Sequence, residues 1–311
     1  MRLFWHHSHL PETARGAVIA VGNFDGLHRG HQAVIEAAGG LAHAAGARLA
    51  VLTFEPHPRS VFRPDDPHFR LTPYRVKVRW LETLGVDFLY LIRFDAAFRD
   101  RSAESFVREV LIADLGARHV VSGWDFRFGR GRGGDLASLT AVGAAHGLGV
   151  TGVGPVADAN GQVFSSTRIR VALLGGRPRE AAVVLGRPWE IEGRVESGDR
   201  RGRTIGFPTA NVELGDYLRP AFGVYAVRAG VDMGAATHWR DGVANLGRRP
   251  TVGGEVERLE THLFDFNDDL YGRHLRVQLI EFLRPERRFD GLEQLKAQIA
   301  QDCRLAKAAL A

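Results

Sequence analysis

Gly22-Asn23-Phe24-Asp25-Gly26-Leu27-His28-Arg29-Gly30-His31 is the stretch on which the reading of this chain turns. It follows a short apolar run, Ala17 to Val21, and leads into Gln32 to Ala45, where Val34, Ile35, Ala38 and Leu41 recur at helical spacing. Strand, glycine-rich loop and helix in that order bring unpaired helix N–H groups and a partial positive charge to the loop, a setting for phosphate. The loop glycines let backbone approach a ligand closely. His28 and His31 are three residues apart, so if the helix has begun by His28 they project on one face with Cβ atoms roughly 5–6 Å from each other, close enough to hold one phosphate between two imidazoles. Donors aimed at oxygens that gain charge as phosphorus becomes five-coordinate favour the transition state over the bound substrate. Gly-x-x-x-x-Gly-Lys-[Ser/Thr] occurs nowhere, which excludes a P-loop.

The pattern repeats outward from this loop. Arg48 to Phe54 reads as a second strand, Thr72 as a helix cap with Pro73 at the first position, Asp87 to Phe94 as a strand, and Ser102 as the cap of Ala103 to Asp114. His119 to Ser122, a helix over Asp135 to His146, and Gly149 to Val153 continue the alternation, which predicts a parallel sheet covered on both faces, with ligands beyond the carboxyl ends of its strands. After helices at Thr167 to Leu174 and Pro178 to Leu185 the texture changes, and Gly186 is the expected domain boundary. Trp189 to Val195, Gly223 to Val227, Gly242 to Leu246, Leu259 to Phe266 and Leu275 to Phe282 read as closely spaced strands, predicting a small antiparallel sheet or barrel closed by a helix over Leu292 to Leu310.

Composition bounds the function. At about 150 residues per domain, 311 residues make two domains. Hydrophobic residues at 45% and charged at 25% belong to a globular chain. No apolar run reaches the roughly 18 residues of a membrane helix, and the start lacks a secretory signal, so the expectation is a cytoplasmic protein. Cys303 has no second cysteine to pair with, and the 13 histidines show no zinc spacing. The net charge of +5 raises a rival reading, a barrel that binds nucleic acid. However, residues 184–311 hold 19 Lys+Arg against 19 Asp+Glu, and the excess lies in the first half. Only Lys77, Lys296 and Lys307 are lysines, so arginine supplies nearly all of the basic charge.

The His-x-Gly-His stretch after a first strand resembles the signature of the nucleotidyltransferase superfamily. That superfamily also carries Ser/Thr-x-x-Arg at a late helix start, and here Phe164-Ser165-Ser166-Thr167-Arg168-Ile169-Arg170 is similar to it. Thr53-Phe54-Glu55-Pro56-His57-Pro58, Gly123-Trp124-Asp125-Phe126-Arg127-Phe128-Gly129, Gly206-Phe207-Pro208-Thr209-Ala210-Asn211 and Glu260-Thr261-His262-Leu263-Phe264-Asp265 narrow the likeness. Over nearly its whole length the chain resembles the bacterial bifunctional riboflavin kinase/FMN adenylyltransferase, or FAD synthetase, family. A nucleotidyltransferase for another acceptor is the alternative enzyme.

The resemblance implies an α/β N-terminal nucleotidyltransferase (Rossmann-like) parallel-sheet domain, residues 1–185. With it goes a C-terminal six-stranded antiparallel β-barrel riboflavin kinase domain with a terminal helix, residues 186–311. It implies that His28 and His31 are catalytic for adenylyl transfer, and that Gly22, Phe24, Asp25, Gly30, Ser166, Thr167 and Arg170 hold ATP and its phosphates. Asp125, Phe126 and Phe128 would bind the flavin. In the kinase half it implies Gly202, Thr209 and Asn211 for ATP, Thr209 and Asn211 for Mg²⁺, and Glu260 as the base for the riboflavin hydroxyl. Asp265, Asp268 and Asp269 read as a solvated acidic turn. The implied partners are riboflavin, FMN, FAD and ATP, without nucleic acid or membrane, and the chain is expected as a monomer or weak homo-oligomer.

Overall fold

The alternation of apolar runs with helical repeats becomes a six-stranded, all-parallel sheet. Its elements, in chain order, are β1 (Arg2–Phe4), β2 (Val18–Val21), α1 (Arg29–Ala44), β3 (Leu49–Glu55), α2 (Pro58–Phe62), α3 (Tyr74–Thr83), β4 (Phe88–Arg93) and α4 (Ala96–Arg99). They continue with α5 (Ala103–Ser105), which runs into a π-helical stretch Phe106–Asp114, then β5 (His119–Gly123), α6 (Leu136–Ala144) and β6 (Gly149–Val153). The structure, a computed structural model, describes residues 1–196, 206–232, 237–251 and 254–311. It divides into two units, Met1–Pro67 with Thr72–Ser165, and His68–Leu71 with Ser166–Ala311.

The strand order is β1-β4-β3-β2-β5-β6. Successive strands run outward from β2 to one side through β3 and β4, and to the other through β5 and β6. The direction of winding therefore switches between β2 and β5, where a crevice opens beyond the strand ends. The Gly22–His31 loop leaves β2 there, and the Gly123–Phe128 loop leaves β5. Both sheet faces are buried: Ile19, Val21, Leu52, Tyr90 and Val120 join one apolar core and Val18, Ala20, Val51, Leu89 and Val121 the other. This period-two division is what a doubly covered parallel sheet requires.

The second unit begins with α7 (Ser166–Leu174) and α8 (Pro178–Leu185). It continues through β7 (Trp189–Arg194), β8 (Ala210–Glu213), β9 (Gly223–Asp232), β10 (Thr237–Thr251), β11 (Gly254–Leu263), β12 (His274–Pro285) and α9 (Leu292–Leu310). All its strand pairs are antiparallel, in the order β7-β12-β9-β10-β11-β8. Glu196, just beyond β7, donates its N–H to the Asn211 carbonyl of β8 at 3.0 Å and brings the two ends together into a nearly closed barrel. Ala306 and Leu310 of α9 cover Val224, Ala226 and Val243 on the outside.

Several boundaries differ from the sequence expectation. Helix α3 starts at Tyr74 with Pro73 as its cap residue, because Thr72 is turned away to the Gly22–His31 loop. Strand β1, three residues pairing with β4, carries no sequence signal. Strand β8 lies within a segment the sequence reading treats only as a motif. Gly186 ends α8 in the left-handed conformation as expected, φ 78°, but α7 and α8 group with the barrel, so the border between the units falls at Ser165/Ser166.

Candidate active sites

In the first unit the site is built by the cap of α1. His28 is its N-cap residue, and the His28 Nδ1 accepts the His31 N–H at 3.3 Å. With Nδ1 as acceptor, the ring proton of neutral His28 resides on Nε2, which is the donor of the ring. The His31 ring stacks on the His28 ring, centroids 3.6 Å apart at 20°, and Phe24 stands edge-on to His31 at 5.3 Å. The two histidines proposed from their spacing thus meet at the switch point of the sheet, but through the cap bond and ring stacking rather than a shared helix face, and the stacked rings leave no room for a phosphate between them.

The glycines have steric reasons. A Cβ on Gly30 would come within 3.1 Å of the His28 ring, and one on Gly22 within 3.2 Å of the Phe24 ring. Phe24 and Leu27, both 1% exposed, take left-handed φ of 49° and 48°, a conformation bulky residues seldom adopt. Asp25 is buried. Its Oδ1 accepts from the Thr72 N–H at 3.0 Å and from the Thr72 hydroxyl at 3.3 Å, and that hydroxyl in turn accepts the Gly26 N–H at 2.9 Å. Asp25 therefore clips the loop to the start of α3. On its other side, the Lys77 Nζ donates to the Asn23 carbonyl at 2.8 Å, and Thr53 Oγ1 donates to the same carbonyl at 3.1 Å. No sequence signal marks Thr53, Thr72 or Lys77 as a support of this loop, and Thr72 reads in sequence as a helix cap, because their partners in the loop are distant along the chain.

At the end of β5, Asp125 and Trp124 are exposed. Phe126 is half-buried and stacks on Phe128, centroids 5.3 Å apart, while Phe128 itself lies in the core against Phe106. Ser166 opens α7 and Thr167 is exposed one position on. Arg170, a turn further, donates Nε to the Phe69 carbonyl at 2.8 Å with its guanidinium over the Phe69 ring.

The second unit has a cavity of about 420 Å³ lined by Thr209, Asn211, Thr261, Asp268, Asp269 and Tyr271, among others. Thr261 is 1% exposed and its hydroxyl has no partner among the described residues. Asp268 and Asp269, read from sequence as a solvated turn, lie at this cavity because the loop between β11 and β12 meets Pro208–Asn211. Glu260, half-buried, is in direct register with Asn211 on one side and Asn245 on the other, so the three side chains share one face of β8, β11 and β10. His262, two residues on and on the same face, bonds through Nδ1 to the Pro208 carbonyl at 2.8 Å. Burial raises the Glu196 carboxyl above its usual range, the nearby Glu213 adds to this, and Arg258 opposes it. Gly202 lies outside the described residues. Thr209 and Asn211 present hard oxygen donors beside acidic side chains, a set that suits a divalent cation retaining most of its water.

The two sites correspond to two family models: FAD synthetase matches residues 10–168 and riboflavin kinase residues 185–310. The bifunctional riboflavin kinase/FMN adenylyltransferase of Escherichia coli strain K12 is 42% identical over 92% of this chain and 90% of its own length. The chain belongs to the bifunctional riboflavin kinase/FMN adenylyltransferase family. The Bacillus subtilis member is 39% identical over 96% of this chain and 93% of its own. A crystal structure from Streptococcus pneumoniae described as a macrolide-efflux protein superposes with a TM-score of 0.84 at 32% identity, covering 96% of both chains. Among the described residues of this family member no helix is long and apolar enough to cross a membrane.

Proposed function

We propose that this chain makes FMN from riboflavin and ATP and then FAD from FMN and ATP, with adenylyl transfer in residues 1–185 and phosphorylation in residues 186–311. The observation that carries the reading is that each family match coincides with its own phosphate-handling arrangement: the stacked His28–His31 pair in one unit, and the Asn211–Glu260 register beside a cavity in the other.

In adenylyl transfer an FMN phosphate oxygen attacks the α-phosphorus of ATP, the bond from that phosphorus to the bridging oxygen breaks, and pyrophosphate leaves. His28 and His31 donate to the oxygens on which charge collects. Gly22 and Gly30 keep the loop close to the phosphates, Phe24 and Asp25 hold its shape, and Ser166, Thr167 and Arg170 take the β- and γ-phosphates. Asp125 reads the flavin edge, while Phe126, backed by Phe128, offers it an aromatic surface.

In the kinase reaction the riboflavin 5′-hydroxyl attacks the γ-phosphorus, its proton passes to Glu260, and ADP leaves. Thr209 and Asn211 would hold Mg²⁺, which when bound offsets charge on the ATP phosphates; Gly202 completes the ATP site in this reading. The proposal extends to a cytoplasmic monomer or weak homo-oligomer that binds no nucleic acid, the last point alone being supported by the charge balance of the barrel half.

The test is to incubate the purified chain with riboflavin, ATP and Mg²⁺ and separate the flavins over time. FMN should appear first and FAD after it. Folded protein that leaves riboflavin unchanged, or that stops at FMN, would remove one or both assignments.

A further inference from the structure

Lys77 on α3 is a buried ammonium group that the proposed chemistry does not use. It is 1% exposed, in a chain whose 41 basic residues include only three lysines. Burying a cation is unfavourable unless its hydrogen bonds are made, and an apolar side chain of similar length would fill the same space without that cost. The Lys77 Nζ donates to the Asn23 carbonyl at 2.8 Å and lies 3.4 Å from Thr53 Oγ1, and the Thr53 hydroxyl donates to the same carbonyl at 3.1 Å. Two donors from separate elements converge on a single carbonyl oxygen.

That carbonyl belongs to the peptide that opens the proposed phosphate loop. In a trans peptide the C=O and the following N–H point in opposite directions. Drawing the Asn23 carbonyl onto Lys77 therefore turns the Phe24 N–H the other way, and among the described residues that N–H has no acceptor. Phe24 is held at a φ of 49° with its ring against His31. A left-handed residue of this size persists only where its surroundings over-determine it. Asp25 and Thr72 fix the loop after Phe24, and Lys77 with Thr53 fixes it before.

We propose that Lys77 is a positioning residue for adenylyl transfer: through the Asn23 carbonyl its ammonium group sets the Phe24 peptide, so that the Phe24 N–H joins His28 and His31 in holding the ATP phosphates. This rests on the adenylyl-transfer reading of the His28–His31 site. A compact ammonium serves the Asn23 carbonyl and the Thr53 hydroxyl together, whereas a planar guanidinium is longer and demands a fork of acceptors. Arginine is therefore a poor replacement, in keeping with the survival of a lysine here.

The test compares full-length Lys77→Met, Lys77→Arg, Thr53→Val and the Thr53→Val/Lys77→Met double variant, measuring FMN to FAD and riboflavin to FMN on the same preparations. Lys77→Met should lower kcat/KM for ATP in FAD formation by about 10- to 100-fold and weaken pyrophosphate inhibition in parallel, with KM for FMN and kinase turnover within about twofold. Lys77→Arg should not restore the lost activity. Thr53→Val should give a smaller change of the same kind, and the double variant should be no worse than Lys77→Met, because both donors act at one oxygen.

A purely structural role would scale FAD formation with the folded fraction and leave KM for ATP and pyrophosphate inhibition unchanged, which would overturn the proposal. Should Lys77→Met not fold, Thr53→Val decides: unaltered ATP and pyrophosphate behaviour in that variant is also a refutation. A wild-type chain that forms no FAD from FMN would overturn the adenylyl-transfer reading itself, and the Lys77 role with it.

Discussion

At Gly30 the space for a side chain is taken by the His28 ring, 3.1 Å from where a Cβ would stand. Gly30→Ala should push His28 off its cap bond and slow FAD formation about tenfold, with riboflavin phosphorylation unchanged, as steady-state assays of both half-reactions would report. His28→Ala or His31→Ala should slow it by about 10²-fold or more, again sparing the kinase; equal loss of both activities in folded protein would count against the site. Glu260→Gln keeps the shape and one acceptor oxygen but cannot take a proton, so phosphorylation should fall by about 10²- to 10⁴-fold while added FMN still becomes FAD. Near-normal kinase turnover would leave that half without an identified base. The histidine pair is legible in sequence because its members are near neighbours at a helix start, although it is the cap bond from the His31 N–H to His28, just outside α1, that brings the rings together. The pairing of Glu260 with Asn211, and of Lys77 with Asn23, joins residues far apart along the chain, and no local pattern announces either.

Between β5 and β6 the His119 ring lies over Gly149, and a Cβ there would come within 2.2 Å of Nδ1. Gly149→Ala must displace either the strand or the ring, which bonds Thr151 Oγ1 at 2.7 Å, and should cost about 1–3 kcal/mol in urea unfolding. Removing the ring as well, in His119→Ala/Gly149→Ala, should return part of that loss. Burial lowers the His119 pKa, so the unfolded chain takes up the proton first, and stability should decline as the pH falls from about 6.5 toward the lowered folded value. His119→Gln should flatten that part of a melting-temperature profile; an identical slope would show that another group sets it. Long amphipathic elements such as α1 and α9 are plain in the sequence because their own periodicity declares the buried face. Strands β1 and β8 are not, since three or four residues acquire strand structure only from the neighbour they pair with.

Across the whole molecule, α8 belongs with the barrel and lies against β7 and β12, with Val184 and Leu185 at 0% and 1% exposure. Each such side chain contributes about 1.5–3 kcal/mol when fully buried, so a fragment of residues 186–311 should be about 3–6 kcal/mol less stable than one of 166–311. Circular dichroism of the two in urea measures this directly, and the longer fragment should still phosphorylate riboflavin. Equal midpoints would mean that α7 and α8 add nothing to the barrel. Sequence by itself determined the fold class of each half, the family, the paired histidines and the terminal helix, because hydrophobic periodicity, caps and short motifs are properties of neighbouring residues. Only the tertiary structure decided where the units divide, how the barrel ends meet through Glu196 and Asn211, that Thr72 serves the loop rather than its own helix, and that a buried lysine holds the Asn23 carbonyl. Each of those depends on which distant groups share one place, and burial together with hydrogen-bond satisfaction settles that only when the whole chain has packed.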